Sequence, residues 1–499
     1  MDNNAQNCLL NALDQMVTNP LLGALPPMLD PLNLAKELRY RPITPEHIRA
    51  IPMAERHHLS NQYKRIFIPN SLTLDIAYSF QRMLHDGLSQ RDPRQNLSRK
   101  FIYQSGQQVG AAMDKVVWWP SFASGMVIEG ISGVGKSQVV DRTLSLFPQV
   151  IEHGKNEACG WLQLKQLVWL KVHMSSDGSR GGFLLNGLMA LDEALQTDYA
   201  SQYKGVRWTV EKLLVVFLHL LAVHRCGVLI IEEAQETNLN LTPFARDFIN
   251  FFLRVLNWGI PTVLIGNPLA FSNLRAHSQD VDRFSDSGWF QLEPEMDPTS
   301  EHWQKGLIPG LWLPTLLDNP DATYTQFSDH SLDSTLHGFI WRRTAGFPRY
   351  VCRLRRAVQE FALRTKATQV TPAMIDEVYR TSAKMIPLHA RIEAFVNKDW
   401  RALNQFLDIS EDHYRRLWSP PGKTTTDNLS QQVDRPYVPK PIATTAKKNT
   451  SRSAAKPRAT KANPTPPNQF SPEDIRSKEF QENMVNNMTK GLDLNLSKS

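Results

Sequence analysis

The stretch that decides the fold is Gly130-Ile131-Ser132-Gly133-Val134-Gly135-Lys136-Ser137. It fits GxxxxGK[ST], the pattern of a glycine-rich loop between a strand and a helix. The context agrees, because residues 126–130 (MVIEG) predict a strand before the loop and an amphipathic segment predicts a helix after it. Glycines allow a tight turn whose backbone N–H groups point inward, and the helix N terminus adds positive potential. The stretch therefore predicts a phosphate-binding P-loop, and a chance loop is the weaker alternative.

The loop also predicts which groups contact a nucleotide. Lys136 would reach the β and γ phosphates, and Ser137 would ligate Mg²⁺. The expected cofactors are therefore ATP and Mg²⁺. The full set of expected cofactor-binding residues is Gly130, Ser132, Gly133, Val134, Gly135, Lys136, Ser137 and Gln138.

Outward from the loop, short apolar runs alternate with amphipathic segments. Strands are predicted at 126–130, 167–174, 227–233 and 262–267, and helices at 184–195, 213–224 and 245–258. Such alternation is typical of a parallel sheet covered by helices on both faces, with ligands at the carboxyl ends of the strands. The expected fold class is α/β, a P-loop NTPase with a small helical lid and a disordered basic C-terminal tail.

The chain is 499 residues long, which favours two folded units plus tails. Residues 1–40 are predicted to be an extended docking segment, because the prolines of NPLLGALPPMLDPLNL at 19–34 forbid a long helix; a plain linker is the alternative. The further predicted regions are a helical N-terminal region at 41–115, the α/β ATPase core at 116–300, a lid with C-terminal helices at 301–418, a disordered basic Pro-rich linker at 419–470, and a short partner-binding segment, or an unstructured end, at 471–499.

Two carboxylates end the apolar strand at 227–233. In this kind of motif the first acid helps to hold Mg²⁺ and the second, here Glu233, polarises the attacking water. Glu232 stands where aspartate is usual, and its extra methylene moves the carboxylate outward. Mg²⁺ tolerates little geometric error, so we expect nucleotide binding to survive better than fast hydrolysis. Two solvated acids that merely end a strand are the alternative.

Three further residues complete the predicted catalytic set. Asn267 follows the strand at 262–267 and can orient water beside the γ-phosphate. Arg349, in Gly-Phe-Pro-Arg, would act on the nucleotide of its own subunit. Arg283 would stabilise the transition state in a neighbouring subunit, with Arg275 as its rival. Each arginine has a surface role as its alternative.

Composition excludes several other classes of protein. The four cysteines form no CxxC or Cys/His cluster, which argues against a zinc site and a disulfide framework. The longest apolar stretch, 213–223, is about half the roughly 20 residues that span a bilayer. No basic secretory signal opens the chain, so a bacterial cytoplasmic location without a membrane is expected. No cluster of acids suggests a nuclease.

These motifs together resemble the AAA+ branch of P-loop proteins, and the stretches between them resemble TnsC (TnsC/TniB-like), the regulator of heteromeric, TnsABC-type DNA transposons. The resemblance covers most of residues 15–410. Its specific parts are NPLLGALPP, GISGVGKSQVVDRTLSLFPQVIEH, LVWLKVHMSSDGS, LMALDEAL, FINFFLRVLNWGIPTVLIGNP and IPLHARIEAFV. Glu232 and Asn267 depart from the family pattern, since a close relative would carry Asp and Thr at those positions, and the basic tail aligns with nothing.

The resemblance implies a function. ATP-bound subunits would form a ring or filament on double-stranded DNA without sequence preference, receive a target-selection protein (TnsD/TniQ-like) and activate transposase subunits (TnsA/TnsB-like). By the same resemblance, Arg180 lies in the loop that faces DNA, where it would contact phosphate; a solvated loop arginine is the alternative. The net charge of +7, and eight Lys or Arg without an acid at 435–461, favour such a partner.

Two other interpretations remain open. One is a P-loop signalling or secretion ATPase that acts on protein partners without DNA. The other is a nearly inactive NTPase that assembles but barely turns over, because Glu232 replaces aspartate.

Overall fold

A parallel sheet organises the structure, a computed structural model that describes residues 19–42, 47–48, 50–109, 119, 123–176, 178–203, 208–232, 245–275, 278–312, 316–317, 335–406 and 408–419. All of these residues belong to one compact unit. The strands are β1 (Gly125–Gly130), β2 (Val150–His153), β3 (Leu164–Leu167), β4 (Trp169–His173), β5 (Val228–Glu232), β6 (Thr262–Gly266) and β7 (Trp289–Leu292). Five of them form the sheet in the order β4-β5-β6-β1-β7, with every pairing parallel.

Helices precede the sheet and connect its strands. Up to β5 they are α1 (Pro20–Gly23), α2 (Pro31–Leu38), a 3-10 segment (Met53–Arg65), α3 (Ser71–Gln90), α4 (Asn96–Gln107), α5 (Lys136–Leu144), α6 (Arg180–Leu195), α7 (Tyr199–Tyr203) and α8 (Val210–Val223). Between β5 and β7 lie α9 (Ala245–Asn257), a 3-10 turn (Pro268–Phe271), α10 (Ser272–Arg275) and α11 (Ser278–Phe284).

The lid and the helices beyond it follow β7. They are a π-helix (His302–Leu307), α12 (Ile308–Leu311), α13 (Leu336–Thr344), α14 (Pro348–Arg364), α15 (Pro372–Thr381), a 3-10 turn (Ile386–Leu388), α16 (His389–Val396), a 3-10 turn (Arg401–Gln405) and α17 (Glu411–Trp418). The helical lid predicted after the core is therefore present. Gly346, with φ of +72°, separates α13 from α14 in the segment that reads as one long apolar pattern.

Apolar side chains on both faces of the sheet account for its strands. All residues of β1, β5 and β6 are buried. One face packs against α3, α5 and the lid helices, and the other packs against α6, α8 and α9. Burial on both faces explains why these strands read as continuous apolar runs rather than as alternating ones. The predicted α/β fold class is confirmed, and β1, β5 and β6 lie at three of the four predicted strands.

The sequence prediction differs from the structure at three strands. The run at 167–174 is divided, because β3 ends at Leu167 and pairs antiparallel with β2, whereas β4 starts at Trp169 in the main sheet. β2 and β3 form a separate two-stranded sheet. Neither β2 nor β7 was predicted; both are short and mostly half-buried, so their sequences lack a continuous apolar run.

The prediction of an extended N-terminal segment is wrong for residues 20–23 and 31–38, which are helical. A proline at the first turn starts each helix, where it costs no hydrogen bond, and Asn19 and Asp30 cap the two N termini. Leu21 and Leu34 are fully buried in the core. The prolines thus break the segment into two short helices that pack on this chain. Its docking role stays a prediction, and residues 1–18 lie outside the described part.

No helix among the described residues has the length and apolar character that crossing a bilayer requires. The predicted segments at 419–470 and 471–499 lie, except for Ser419, outside the residues that the structure describes. The predicted domain boundaries stay predictions.

Candidate functional site

The P-loop joins β1 to α5 at the carboxyl edge of the sheet. Gly133 and Gly135 have φ values of +100° and +107°, a region that favours glycine over residues with a Cβ. At Gly130 the limit is space, since a Cβ there would lie 2.6 Å from the carbonyl oxygen of Leu292 on β7. The glycines therefore set the course of the loop and the start of α5, as the motif predicts.

Lys136 lies at the centre of the loop. Its ammonium donates to the carbonyl oxygen of Gly130 at 2.6 Å, to that of Ile131 at 3.3 Å and to Oδ1 of Asn267 at 3.3 Å. The contact with Asn267 joins the loop to the end of β6, the position predicted to sense the γ-phosphate. Phosphate oxygens binding in the loop would compete with these oxygens for the same N–H donors.

A cavity of ≈ 770 Å³ opens above the loop. Its size lies within the range of roughly 300–1,000 Å³ that is usual for small-molecule and cofactor sites. Of the predicted cofactor-binding residues, Ser132, Gly133, Val134, Gly135, Lys136, Ser137 and Gln138 line it. Gly130 does not line the cavity, but its carbonyl oxygen accepts a hydrogen bond from Lys136, which does.

Glu232 lines the same cavity and is almost fully buried. Its Oε2 lies 3.3 Å from Nζ of Lys171 on β4 and 3.7 Å from Nδ1 of His173. Lys171 also contacts Oδ1 of Asp141 on α5 at 2.7 Å. Burial alone would lower the pKa of Lys171, but the hydrogen bond to Asp141 and the charge of Glu232 outweigh burial and raise it. A charged lysine therefore neutralises part of the predicted metal-binding carboxylate.

The donors at this edge fit Mg²⁺. Ser137 and Glu232 bring a hydroxyl and a carboxylate to one cavity, and Mg²⁺ is usually held by one or two such ligands together with phosphate oxygens and water. Among the described residues no group of three or more His, Cys, Asp or Glu could hold a metal by itself. Glu233, the predicted water-polarising acid, lies outside the described residues.

Arg349 lies on the cavity wall, and its predicted action on the nucleotide stays a prediction. Pro348 starts α14, and the backbone N–H of Arg349 donates to the carbonyl oxygen of Gly133 at 3.3 Å. A Cβ at Gly346 would lie 1.9 Å from the carbonyl oxygen of Glu295, so only glycine fits the turn that brings α14 to the loop. The N terminus of α14 and the side chain of Arg349 are thus placed beside the phosphate site of the same chain.

The two candidates for an arginine that acts between subunits differ in their surroundings. Arg283 is exposed on α11 and does not line the cavity of its own chain. Arg275 forms an ion pair with Glu129, and its guanidinium lies 5.1 Å from the ring centre of Trp289. Burial raises the pKa of the Glu129 carboxyl, and the charge of Arg275 acts against that rise. Glu129 lies on β1, immediately before the P-loop. The ion pair therefore attaches Arg275 to β1.

Arg180 starts α6, away from the cavity. Ser179 caps the helix, and Nη1 of Arg180 lies 3.9 Å from a carboxylate oxygen of Glu211 at the start of α8. Glu211 also pairs with Arg254 of α9. Two arginines thus share one carboxylate. The predicted DNA contact of Arg180 is untested by this geometry.

The wall opposite the P-loop was missed by sequence reasoning. It is built from the segment before α3, the π-helix and α12, one face of α14 and the turn after α15. Its lining residues are Lys64, Ile66, Phe67, Ile68, His302, Leu307, Leu311, Cys352, Arg353 and Lys384. Gln138 ties it to the loop by donating to the carbonyl oxygen of Lys64 at 2.6 Å. The apolar part of this wall suits a nucleobase. The capping box of Asn70 and Thr73 marks the start of α3 in the sequence, but nothing local indicates a ligand.

The comparisons with known proteins agree with this architecture. Residues 123–274 match the family described as "AAA domain". The match runs from just before β1 to α10 and includes the P-loop and Glu232. With the parallel five-stranded sheet flanked by helices, the match shows that this part of the chain has the fold of an AAA domain. No curated protein matches the chain.

Several solved structures are similar to this chain at low identity and low TM-score. Drosophila ORC bound to DNA is 13% identical, with 68% of this chain and 81% of that chain covered at a TM-score of 0.31. The ORC2 protein of Aeropyrum pernix in its ADPNP–ADP complexes is 13% identical, with 64% and 76% covered at 0.35. The RuvB Holliday junction branch migration motor of Thermotoga maritima is 13% identical, with 64% and 86% covered at 0.29.

Proposed function

We propose that this chain is an ATP-dependent, DNA-binding regulator of transposition whose slow ATP hydrolysis times its release from DNA. The observation that carries the ATP-dependent part is the convergence of Lys136, Asn267, Glu232 and Arg349 on one cavity. The transposition role is supported by the sequence stretches that resemble TnsC; Arg180 directly follows one of them, the stretch at 167–179.

Each residue has a distinct task in this proposal. The P-loop N–H groups and Lys136 hold the phosphates, and Arg349 adds a second cation beside them. Ser137 and Glu232 would hold Mg²⁺, which neutralises charge on the phosphates when bound. Asn267, in contact with Lys136, orients water or the γ-phosphate, and Glu233 draws a proton from the attacking water. Because Lys171 pairs with Glu232, and Glu232 is one methylene longer than aspartate, turnover is slow.

On the DNA side, Arg180 contacts backbone phosphate in a ring or filament of this chain. Arg283 or Arg275 completes the nucleotide site of the neighbouring subunit. A target-selection protein and transposase subunits would bind this assembly, and strand cleavage would belong to the transposase.

Binding to duplex DNA tests the proposal. The full chain would be assayed without nucleotide, with ADP and with a slowly hydrolysed ATP analogue, beside Lys136→Ala. We expect binding, with oligomers, in the analogue state alone, and no binding by the variant. Replacing Arg180 with alanine should weaken binding on every sequence and reduce the slope of log K against log salt by about 1. Binding that is equal in all nucleotide states would contradict the proposal.

One observation favours a second candidate, an ATPase that acts on protein partners without DNA. Glu211 pairs with both Arg180 and Arg254, so a carboxylate already occupies the place where DNA phosphate would bind. If the chain binds the analogue but binds no DNA in any state, even at low salt, this candidate replaces the first.

A further inference from the structure

A carboxylate from the far end of the described chain holds the outer rim of the P-loop. The backbone N–H of Ser132 donates to Oδ2 of Asp408 at 3.0 Å. The carbonyl oxygen of Ser132 accepts from Nη2 of Arg391 at 3.4 Å. Both main-chain groups of one P-loop residue are thus hydrogen-bonded to residues that lie beyond the lid.

Asp408 and Arg391 form a tight pair of their own. Nη2 of Arg391 lies 3.0 Å from Oδ2 of Asp408, and Nη1 lies 3.3 Å from Oδ1, which gives the two-pronged geometry of strong arginine–carboxylate pairs. Only 11% of the Arg391 side chain and 19% of the Asp408 side chain are exposed. The guanidinium also lies 5.4 Å from the ring centre of Phe347 and 5.6 Å from that of Phe406. This packing fixes the pair in one place.

The electrostatics agree with this geometry. Burial would raise the pKa of the Asp408 carboxyl, but the charge of Arg391 and the hydrogen bond from Ser132 outweigh burial and lower it. The carboxylate is therefore charged at neutral pH, and charged acceptors make the stronger hydrogen bonds with backbone N–H groups.

The pair lies outside the cavity rather than in it. Ser132 is a lining residue, whereas neither Asp408 nor Arg391 lines the cavity. The Asp408 carboxylate therefore does not occupy the phosphate site. It supports the loop from behind, and its loss should weaken nucleotide binding rather than relieve competition.

A second contact joins the same C-terminal segment to the cavity. Nε2 of His413, on α17, lies 2.5 Å from Oε1 of Glu293, which lines the cavity. On the same helix, Tyr414 and Trp418 pack against Phe395 of α16. Residues 408–418 are therefore attached at two points to the nucleotide site, directly before the chain continues into its basic tail.

We propose that Asp408 and Arg391 are positioning residues for the P-loop, and that they couple occupancy of the nucleotide cavity to α17, the helix that leads into the C-terminal tail. This inference rests on the proposed ATP binding, but not on the transposition role. The coupling runs both ways, because linkage between two sites is reciprocal: a partner that holds α17 and the tail would change the affinity for ATP.

The test compares Asp408→Asn with Asp412→Asn in the full chain. Asp412 is the matched control. This aspartate of α17 pairs with Arg415 at 2.8 Å, and its side chain is 65% exposed. Two quantities are measured: the Kd of a slowly hydrolysed ATP analogue, and amide hydrogen exchange at 131–137 and 408–418 with and without the analogue. In the native chain the analogue should slow exchange in both segments.

In Asp408→Asn we expect the Kd to rise about tenfold, and saturating analogue to protect 131–137 but no longer 408–418. Asp412→Asn should behave like the native chain. Native affinity and native protection in Asp408→Asn would overturn the inference, and so would tighter binding. If the native chain binds no analogue, the proposed function itself fails, which is a different outcome.

Arg391→Lys is a second variant, for the case that Asp408→Asn does not fold stably. It keeps a cation beside Asp408 but loses the two-pronged pair and the bond to Ser132. We expect about a threefold rise in Kd with a thermal unfolding midpoint close to that of the native chain. If Asp408→Asn has a much lower thermal unfolding midpoint than the native chain, Arg391→Lys becomes the test. An unchanged Kd together with native protection of 408–418 in Arg391→Lys would overturn the inference.

Discussion

The two walls of the nucleotide cavity are built in opposite ways. One wall is a single stretch, Ser132 to Gln138, in which neighbouring residues supply the glycines, the lysine and the hydroxyl. The other wall combines residues from the segment before α3, the region after β7 and α14, which lie far apart in the sequence. Phosphate can be held by one well-shaped loop, whereas the opposite wall needs the lid and the N-terminal segment to be folded together. We therefore expect substitutions in the first wall to remove contacts with the phosphates. Substitutions in the second wall should instead lower nucleotide affinity by shifting the segments that form that wall.

The largest effect should come from Lys136→Ala. The variant loses the cation in the centre of the loop, and losing one partner of a desolvated charge pair costs about 2–5 kcal/mol. We expect the Kd for ATP to rise by about 100-fold, as measured by calorimetry. Lys155→Ala is the control, because Lys155 is an exposed lysine that pairs with Glu157. Native affinity in Lys136→Ala would contradict a phosphate-binding role for the loop.

Arg349→Ala should have the next largest effect, because this arginine comes from the second wall but lies beside the phosphates. We expect about a tenfold weaker Kd for ATP, with a smaller change for ADP, since the γ-phosphate carries the additional charge. Arg364→Ala, at the other end of α14, is the control. Equal losses for ATP and ADP would show that Arg349 does not distinguish the two nucleotides.

The first wall was predicted from the sequence because its chemistry is contiguous. The P-loop and Asn267 each follow a fully buried strand and Glu232 ends one, and such strands read as continuous apolar runs. Arg349 was found because glycine and proline mark the turn before it. The second wall was missed because Ile66, His302 and Cys352 carry no local pattern. They meet only through tertiary packing, which a motif does not encode.

Lys171 was missed for a related reason. It reads as a polar residue within an apolar strand, and only the pairing of β4 with β5 places it beside Glu232. Likewise, Asp408 follows no motif and reaches Ser132 through the fold of the C-terminal helices. Residues that contact a motif from a distant part of the chain are therefore the part of this site that the sequence does not predict.

Lys171→Met tests the effect of a cation beside Glu232, the predicted metal-binding carboxylate near the first wall. A cation 3.3 Å from Oε2 of Glu232 opposes a second cation at the same carboxylate. We expect the Mg²⁺ concentration that half-saturates binding of an ATP analogue to fall by about fivefold. The measurement is a Mg²⁺ titration at fixed analogue concentration. Lys165→Met is the control, a lysine of β3 in the two-stranded sheet whose Nζ lies 4.0 Å from a carboxylate oxygen of Glu152. An increase in the required Mg²⁺ would mean that Lys171 supports the metal site through Asp141 instead.

An effect of similar size is expected where the two walls are joined. Gln138 belongs to the P-loop helix, yet its amide donates to the carbonyl oxygens of Lys64 at 2.6 Å and Ile66 at 3.4 Å in the opposite wall. Gln138→Ala removes these bonds, and one net hydrogen bond contributes about 1 kcal/mol. We expect about a fivefold rise in Kd for ATP and a smaller one for inorganic triphosphate, which lacks the base and ribose that the second wall would contact. Gln405→Ala is the control and should change neither Kd, because the Gln405 amide donates to the carbonyl oxygen of Ala402 in its own helical turn. If both ligands weaken equally in Gln138→Ala, the glutamine acts on the phosphates, and the two walls are joined by other contacts.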